Sequence, residues 1–334
     1  MEKEKPEEVN SSLKDRSLET MKKKFKISKP KGKLGVLIPG IGGAVSTTFI
    51  AGIELYKKGN GKLFGSLSQM GTIRIGKRTE KKSPLIKDLV DLAKVENLEF
   101  FGWDVYSDDC YKATKKAGVL DGSLVEEVKS ELEMIKPGKA VFNKKFAENL
   151  NGKNIKKEKN YFKLANELIN EIKTFKKEKN IDRLVMIWCG STEIFLKKSS
   201  VHETIKSFED GLKKNSKFIS PSMIYAYAAI KCGAAYANGA PNLSVDIPAL
   251  EKLSKNNKVP IAGKDFKTGQ TLMKTILAPG IKSRLLGLNG WFSTNILGNR
   301  DGEVLDNPKN FKTKEESKLS VLEHIFQPEI NKEL

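Results

Sequence analysis

A glycine turn between an apolar stretch and an amphipathic stretch has the composition of a phosphate-binding loop. Residues 34–38 are typical of a buried parallel strand, and residues 44–56 carry apolar side chains at helical spacing. The candidate loop residues are Gly40, Ile41, Gly42, Gly43, Ala44 and Val45. Glycines let the backbone approach a pyrophosphate, and a helix N-terminus offers it N–H groups and partial positive charge. Because Val45 stands where the common fingerprint has its last glycine, a purely structural strand-to-helix turn is an alternative interpretation.

Polar side chains end two further apolar stretches. Asp104 closes a predicted strand at 98–105, and Ser191 and Thr192 follow another at 183–188. The carboxyl ends of parallel strands are where an open α/β sheet binds its ligand, so we expect these residues at a nucleotide site. Asp104 is placed to accept hydrogen bonds from an adenosine ribose. Its alternative role is to cap a predicted helix at 108–117.

Acid–base chemistry in this chain would fall to lysine, aspartate or glutamate. The two histidines, His202 in a charged predicted helix and His324 near the C-terminus, are predicted to be surface residues. No serine triad and no carboxylate–histidine cluster is apparent, so we predict no metal site. A lysine can serve as acid or base when burial or a cationic neighbour lowers its pKa.

Two lysine-bearing segments are candidates for that chemistry. Lys267 and Lys274 share one face if their segment is helical, and Asp265 adjoins them. The second segment, 309–318, contains Lys314 and Lys318. On pattern alone a run of charges is usually a solvated face, so that interpretation stays open beside the functional one.

The elements that must position these residues indicate an α/β protein with a mostly parallel sheet. Predicted strands at 34–38, 98–105, 183–188 and 259–262 alternate with helical patterns. Further expectations are a flexible basic arm at 1–30, a loop at 65–71, interrupted helices over 122–180, helices at 85–95, 222–237 and from 272, and an edge strand at 285–293.

Composition limits the class of partner. The 334 residues include 60 Lys+Arg and 41 Asp+Glu, a formal net charge of +19, which invites a nucleic-acid interpretation. The lysines are spread along the chain, so we favour a lysine-rich surface and expect no nucleic-acid partner.

Cys110, Cys189 and Cys232 form no disulfide framework or zinc spacing, which fits a reducing cytoplasm. No apolar span of membrane length and no signal peptide is seen, so we expect no membrane partner.

Several segments, in the same order along the chain, resemble the inositol-phosphate synthase family (myo-inositol-1-phosphate synthase, also called inositol-3-phosphate synthase). The resemblance runs from Leu34 to the end and is most specific from Asn238 onward. The matching segments are 40–43 (family G-x-G-G), 65–71 (G-S-x-x-Q), 102–104 (G-W-D), 188–193 (W-T-A-N-T-E-R), 238–241 (N-G-S-P), 262–271 (A-G-D-D-F-K-S-G-Q-T), 293–302 (S-Y-N-H-L-G-N-N-D-G) and 311–318 (F-R-S-K-E-I-S-K).

The resemblance implies an enzyme of inositol and phospholipid biosynthesis that cyclises glucose 6-phosphate to inositol phosphate without net redox change, using bound NAD. It implies a Rossmann-like NAD-binding domain at 31–245 and a smaller α+β catalytic and tetramerisation domain at 246–334, assembled as a homotetramer. Lys274 and Lys318 would be catalytic or stabilise oxyanions, and Lys267 and Lys314 would assist them. Asp265 and Asp301 would orient lysines or contact nicotinamide and ribose.

Some positions depart from the family pattern. Residues 44–46 replace an N-N-G, residues 263–265 replace a G-D-D, and Leu272 stands where many relatives have a lysine. Family members continue beyond the position of Leu334 with a segment that completes the nucleotide domain and supplies another catalytic lysine, so we expect either a truncated form or an incomplete site. Two alternatives remain: an NAD-dependent oxidoreductase acting on another phosphorylated sugar, and a non-catalytic protein that binds nucleotides or nucleic acid.

Overall fold

The computed structural model describes residues 29–266, 268–292 and 300–326. These residues fall into two compact units, one made of 29–32 with 64–94 and the other of the remaining described residues. The predicted arm lies outside the described residues except for 29 and 30, and so do Lys267 and the motif residues 293–299.

The larger unit is built on a six-stranded sheet in which every strand is parallel to its neighbours, in the order β3-β2-β1-β4-β5-β6. Both halves wind outward from β1, which is the doubly wound Rossmann order, with its switch point between β1 and β4. The α/β expectation is confirmed. The strands are β1 (Lys33–Pro39), β2 (Leu98–Asp104), β3 (Gly138–Lys139), β4 (Ile181–Trp188), β5 (Ala235–Asn238) and β6 (Ile261–Gly263).

Helices connect these strands, and only helices are found among the described residues after β6. The helices are α1 (Ala44–Lys57), α2 (Leu67–Met70), α3 (Ile86–Leu89), α4 (Cys110–Ala117), α5 (Gly122–Glu127), α6 (Lys129–Met134), α7 (Tyr161–Glu178), α8 (Ile205–Lys213), α9 (Pro221–Lys231), α10 (Pro248–Asn257), α11 (Gly269–Ser283), α12 (Asp301–Leu305) and α13 (Pro308–Phe326). Short 3-10 turns occur at Arg78–Glu80, Val95–Asn97, Lys144–Phe146 and Ser200–His202.

From Leu34 onward strand β1 is apolar because the sheet is covered on both faces. Val36 and Ile38 pack with Ile50 of α1 in one core, whereas Leu37, between them, packs with Leu168 of α7 in the other. Alternate residues of a strand point to opposite faces, so a strand buried on both sides needs a continuous apolar run. The predicted strand at 34–38 and helix at 44–56 are thereby confirmed.

The expectation of one helix over 222–237 is wrong. Helix α9 ends at Lys231, Gly233 turns the chain at φ +71°, and Ala235–Asn238 becomes β5. Alanine favours helix, but Val185 to Trp188 of β4 offers a backbone edge to this segment. Pairing with that edge overrides the local propensity.

Three smaller expectations also fail. Within 85–95 only Ile86–Leu89 is α-helical, and residues 285–292 contain no strand where they are described. His202 is fully buried in a 3-10 turn, where its Nε2 lies 2.8 Å from the Phe218 carbonyl oxygen and its Nδ1 accepts from the Ser199 N–H at 3.1 Å. Both ring nitrogens have hydrogen-bond partners, so burial of the ring leaves neither nitrogen unsatisfied. Burial lowers the pKa of His202.

In the smaller unit, the chain folds back on itself in a hairpin-like arrangement. Thr72 and Leu85 form an antiparallel bridge, and the Ile73 N–H donates to the Pro84 carbonyl at 3.0 Å. The predicted loop at 65–71 holds the single helical turn α2.

The predicted domain boundary at 245, in the larger unit, stays a prediction, although β6 follows it and pairs with β5.

Replacement of Gly102 by alanine should destabilise the fold. A Cβ at Gly102 would overlap the carbonyl oxygen of Ile38 and lie 2.8 Å from the Ile41 Cβ, so β1 and β2 would have to separate. We expect a loss of about 1–3 kcal/mol or more in the free energy of unfolding, measured by urea denaturation. The matched control is Gly52→Ala, in α1, where no atom apart from its chain neighbours and the backbone of its own helix lies within 4 Å of the added Cβ. This control should gain up to about 1 kcal/mol, and an equal loss in both variants would contradict the packing argument.

Candidate functional site

A cavity of about 350 Å³ lies at the carboxyl ends of β1, β2 and β4. This is the switch point of the sheet, where open α/β folds bind their ligands. Most of the predicted cofactor residues meet there. Its wall includes Gly40, Gly43, Ala44, Val45, Trp103, Asp104, Tyr106, Trp188, Gly190, Ser191, Glu193, Arg300 and Asp301.

The glycine loop is wedged between the ends of β2 and β4. The Gly40 N–H donates to the Trp103 carbonyl at 2.7 Å, and the Cys189 N–H donates to the Pro39 carbonyl at 3.0 Å. Gly40 has φ +85°, and a Cβ there would lie 2.7 Å from the backbone of Cys189 and Gly190. Only glycine satisfies both the torsion angle and the close approach.

The N-terminus of α1 opens onto the cavity. Its N-cap residue, Gly43, has no side chain that could cap the helix, and no acidic residue occupies the first turn. Ala44 and Val45 of that turn line the cavity, where first-turn N–H groups have no acceptor within the helix. This donor set, with the positive end of the helix dipole, suits a pyrophosphate. The residues present therefore fit the phosphate portion of a dinucleotide.

Two loop residues make contacts within the protein instead. The Gly42 N–H donates to Asp104 Oδ2 at 2.9 Å, and Ile41 is fully buried in the core formed with α1 and β1. They hold the shape of the loop rather than line the cavity at the strand ends. Their role as cofactor residues remains a prediction.

Asp104 lies at the end of β2 with both carboxylate oxygens engaged. Oδ2 accepts from Gly42, and Oδ1 accepts from the Tyr106 N–H at 3.0 Å. Burial raises the pKa of this carboxyl, whereas the backbone hydrogen bonds and then Arg300 oppose that rise. Helix α4 is capped by Asp109, which accepts from the Lys112 N–H at 2.9 Å. The alternative role of Asp104 as a helix cap is therefore wrong.

Ser191 and Thr192 have different positions. Ser191 lines the cavity, but Thr192 is buried, and its carbonyl accepts a hydrogen bond from Asn310 Nδ2 at 2.7 Å. Thr192 thus joins the loop after β4 to α13, which carries two of the candidate lysines. The role of Thr192 as a cofactor residue stays a prediction.

The described catalytic candidates form one cluster. Lys314 Nζ lies 3.1 Å from Asp265 Oδ1, and the Ser317 hydroxyl donates to Asp265 Oδ2 at 3.2 Å. Lys274 Nζ donates to the Lys318 carbonyl at 2.9 Å, which links α11 to α13. Lys274 is only 2% exposed. Within 309–318, the segment for which a solvated face was the alternative, Lys314 and Lys318 are half-buried.

The environment shifts the pKa of several cluster members. Burial lowers the pKa of Lys274, and burial followed by repulsion from Lys314 lowers that of Lys318. Desolvation raises the pKa of Asp301, and Lys314 opposes that rise. A lysine with a lowered pKa can exchange a proton more readily near neutral pH. Because Asp301 also lines the cavity, the lysine cluster adjoins the candidate cofactor site.

Glu193 is a buried cavity residue to which the sequence analysis gave no role. Its Oε1 accepts from the Ser222 N–H at 2.8 Å, and its Oε2 accepts from the Ser222 hydroxyl at 2.6 Å. Burial raises its pKa to about 7, against the effect of the Ser222 and Ser220 hydroxyl groups. The motif 188–193 contains this residue, but sequence does not reveal that it meets the N-terminus of α9.

Within the described ranges, no group of three or more histidine, cysteine or acidic residues could hold a metal ion. The helices of the described part of the chain include none that is both long and apolar enough to cross a bilayer.

Comparison with known proteins gives consistent matches. Residues 34–308 match an NAD-binding family model described as Myo-inositol-1-phosphate synthase. Inositol-3-phosphate synthase 1 of Bacteroides thetaiotaomicron is 50% identical over 307 residues, which cover 92% of this chain and 71% of that protein. Inositol-3-phosphate synthase isozyme 1 of Arabidopsis thaliana is 30% identical, with 92% and 62% covered. The crystal structure of inositol-3-phosphate synthase from Caenorhabditis elegans superposes with a TM-score of 0.81 at 28% identity, with 86% of this chain and 60% of that chain covered.

These matches confirm the resemblance, the Rossmann-like fold and the presence of the family's NAD-binding domain. The chain spans about 60% of the length of the plant and nematode proteins.

Replacement of Glu193 by glutamine should change how stability depends on pH. The folded-state pKa is about 7 against an ordinary value of 4.5, so between these values the folded state binds more protons than the unfolded chain. The free energy of unfolding of the wild type should therefore fall as pH rises toward 7, by up to about 1.4 kcal/mol per unit from this group. Urea denaturation from pH 5 to 8 measures the difference between wild type and Glu193→Gln. Glu158→Gln, at an exposed site, should show no such difference, and parallel curves for wild type and Glu193→Gln would contradict the assignment.

Proposed function

The chain belongs to the myo-inositol-1-phosphate synthase family, and we propose that it converts glucose 6-phosphate into inositol phosphate with NAD as a regenerated cofactor. The observation that carries this proposal is that Asp301 belongs both to the cavity wall with the glycine loop and to the lysine cluster. A nucleotide site alone would serve many oxidoreductases. The adjoining lysines supply what a cyclisation requires in addition.

The residues of the glycine loop would hold the cofactor. Bound NAD would supply a reversible hydride acceptor, so that the sugar is oxidised and later reduced without net redox change. The first-turn N–H groups of α1 at Ala44 and Val45 would bind its pyrophosphate, and Asp104 would accept hydrogen bonds from its adenosine ribose.

The lysine cluster would act on the sugar phosphate. Oxidation of a hydroxyl and closure of a carbon ring both place negative charge on oxygen, which fixed ammonium groups stabilise in a site sheltered from water. Lys274 and Lys318 are suited to this role because burial lowers the pKa of each, so they can also donate or accept a proton. Lys314 would bind the substrate phosphate or position its neighbours, because Asp265 already holds its ammonium group. Lys267 remains a predicted assistant.

We further propose a homo-oligomer, by expectation a tetramer, that works in the cytoplasm. Helix α11 buries Thr271, Lys274 and Ala278, whereas its other face exposes apolar side chains. Leu272, Met273, Ile276 and Leu277 are 44–59% exposed. A contiguous apolar face of this kind is typical of a protein–protein interface.

The cytoplasmic proposal rests on the three free cysteines.

Replacement of Lys274 by methionine should abolish most catalysis and leave NAD binding nearly intact. Methionine keeps much of the buried volume but removes the ammonium group, and loss of one such donor typically costs roughly a hundred- to a thousandfold in rate. The assay follows conversion of glucose 6-phosphate to inositol phosphate, with NAD binding measured by calorimetry as the test of folding.

The control is Lys252→Met, an exposed lysine on α10, which should keep its rate within a few fold. Equal rates for Lys274→Met and wild type would remove Lys274 from the proposed site. Accumulation of NADH by the wild type would instead favour an oxidoreductase acting on another sugar phosphate.

Replacement of Ile276 by glutamate should dissociate the proposed assembly. A charge at the centre of the exposed apolar face of α11 would be desolvated in any interface built there. Light scattering after size-exclusion chromatography should give a smaller mass for Ile276→Glu than for wild type. Lys255→Glu, on the exposed surface of α10, should keep the wild-type mass. A monomeric wild type would contradict the proposed oligomer.

A further inference from the structure

Arg300 lies beside Asp104 in the cavity wall. It belongs to the motif 293–302, but neither the sequence analysis nor the proposed reaction gives it a role. Its Cζ is 3.6 Å from the centre of the Tyr106 ring, so the guanidinium rests on the aromatic face. Arg300 and Tyr106 line the cavity beside the glycine loop together with Asp104. The same three residues also border a smaller adjoining cavity next to Asp108 and Lys116.

The charges around Arg300 are balanced. Arg300 interacts favourably with Asp104 and acts against the rise in its pKa. Lys116 Nζ lies 2.6 Å from Asp108 Oδ2. An acidic residue that stands alone here selects NAD because it repels the 2′-phosphate of NADP, whereas an arginine accommodates that phosphate. This chain has both determinants at one place.

The geometry leaves Arg300 able to bind an anion. A guanidinium stacked on a ring presents its N–H groups outward in its own plane, where they can bind a phosphate in a bidentate manner. Asp104 is already engaged by the N–H groups of Gly42 and Tyr106, which spreads its negative charge into the backbone. Its repulsion of a second anion is correspondingly reduced.

We propose that Arg300 is a cofactor-recognition residue that binds the 2′-phosphate of NADP, so that this chain binds NADP as well as NAD, with NAD the tighter ligand. The inference rests on the proposed dinucleotide site. It extends that site by naming a second cofactor and the residue that admits it.

Calorimetric titration of the full chain with NAD and with NADP tests this assignment, with wild type compared to Arg300→Gln. We expect measurable NADP binding to the wild type. In the variant we expect NADP affinity to fall at least roughly tenfold relative to NAD affinity, since the charge-assisted hydrogen bonds to the 2′-phosphate are lost. NAD binding to the variant also shows that it is folded. The control is Arg183→Gln, an exposed arginine in β4, which should leave both affinities unchanged.

The possible outcomes separate the inference from the proposed function. If NAD binds to the wild type and NADP does not, or if the substitution weakens both cofactors equally, the role of Arg300 is overturned and the synthase proposal is unaffected. If neither cofactor binds to the wild type, the dinucleotide site itself fails, and the assignment of Arg300 fails with it.

Discussion

The close packing of the glycine loop between two strand ends is the constraint on which the site depends. Gly40 donates to the end of β2 and lies against the backbone that follows β4, with no space for a side chain. This contact holds the first turn of α1 over the switch point of the sheet. It also places Asp104 beside Gly42, so that one short loop determines both the proposed anion-binding end and the proposed ribose-binding end of the cavity.

Charge in the interior is organised around this scaffold. Glu193, Asp104 and Asp265 are all buried, and each accepts hydrogen bonds from groups that the fold holds in place. Unpaired burial of such groups would be strongly unfavourable, so these networks also rigidify the loops that carry them. Lys274 represents the opposite arrangement, because its ammonium group is buried against a backbone carbonyl and its charged form is disfavoured. A group held in this way is suited to meet negative charge that appears only during a reaction.

Family membership identifies the segments that form the site, and the local geometry shows which side chains meet there. The family match covers residues 34–308, which include the glycine loop, Asp104, Asp265 and Asp301. The geometry adds how these residues meet and which neighbours control their charge. Arg300 illustrates the difference, because its place beside Asp104 and Tyr106 follows from how α12 is joined to the cavity wall and from no feature of its own segment.

The sequence by itself determined the elements whose cause is local. The conformations of β1, of the glycine turn and of α1 can each be predicted from the local sequence. Backbone torsion preferences and side-chain periodicity act within a few residues. The motif residues Asp104, Asp265 and Asp301 were also found from sequence, through a resemblance that spans distant segments.

Only the tertiary structure decided the rest. Segment 235–238 became a strand because β4 offered it a partner, and His202 became buried because Phe218 and Ser199 satisfied its ring. The pairing of Glu193 with Ser222, and of Lys314 with Asp265, joins residues 29 and 49 positions apart. Burial and ion pairing depend on which segments the sheet order brings together, and that order is a property of the whole chain rather than of any window within it.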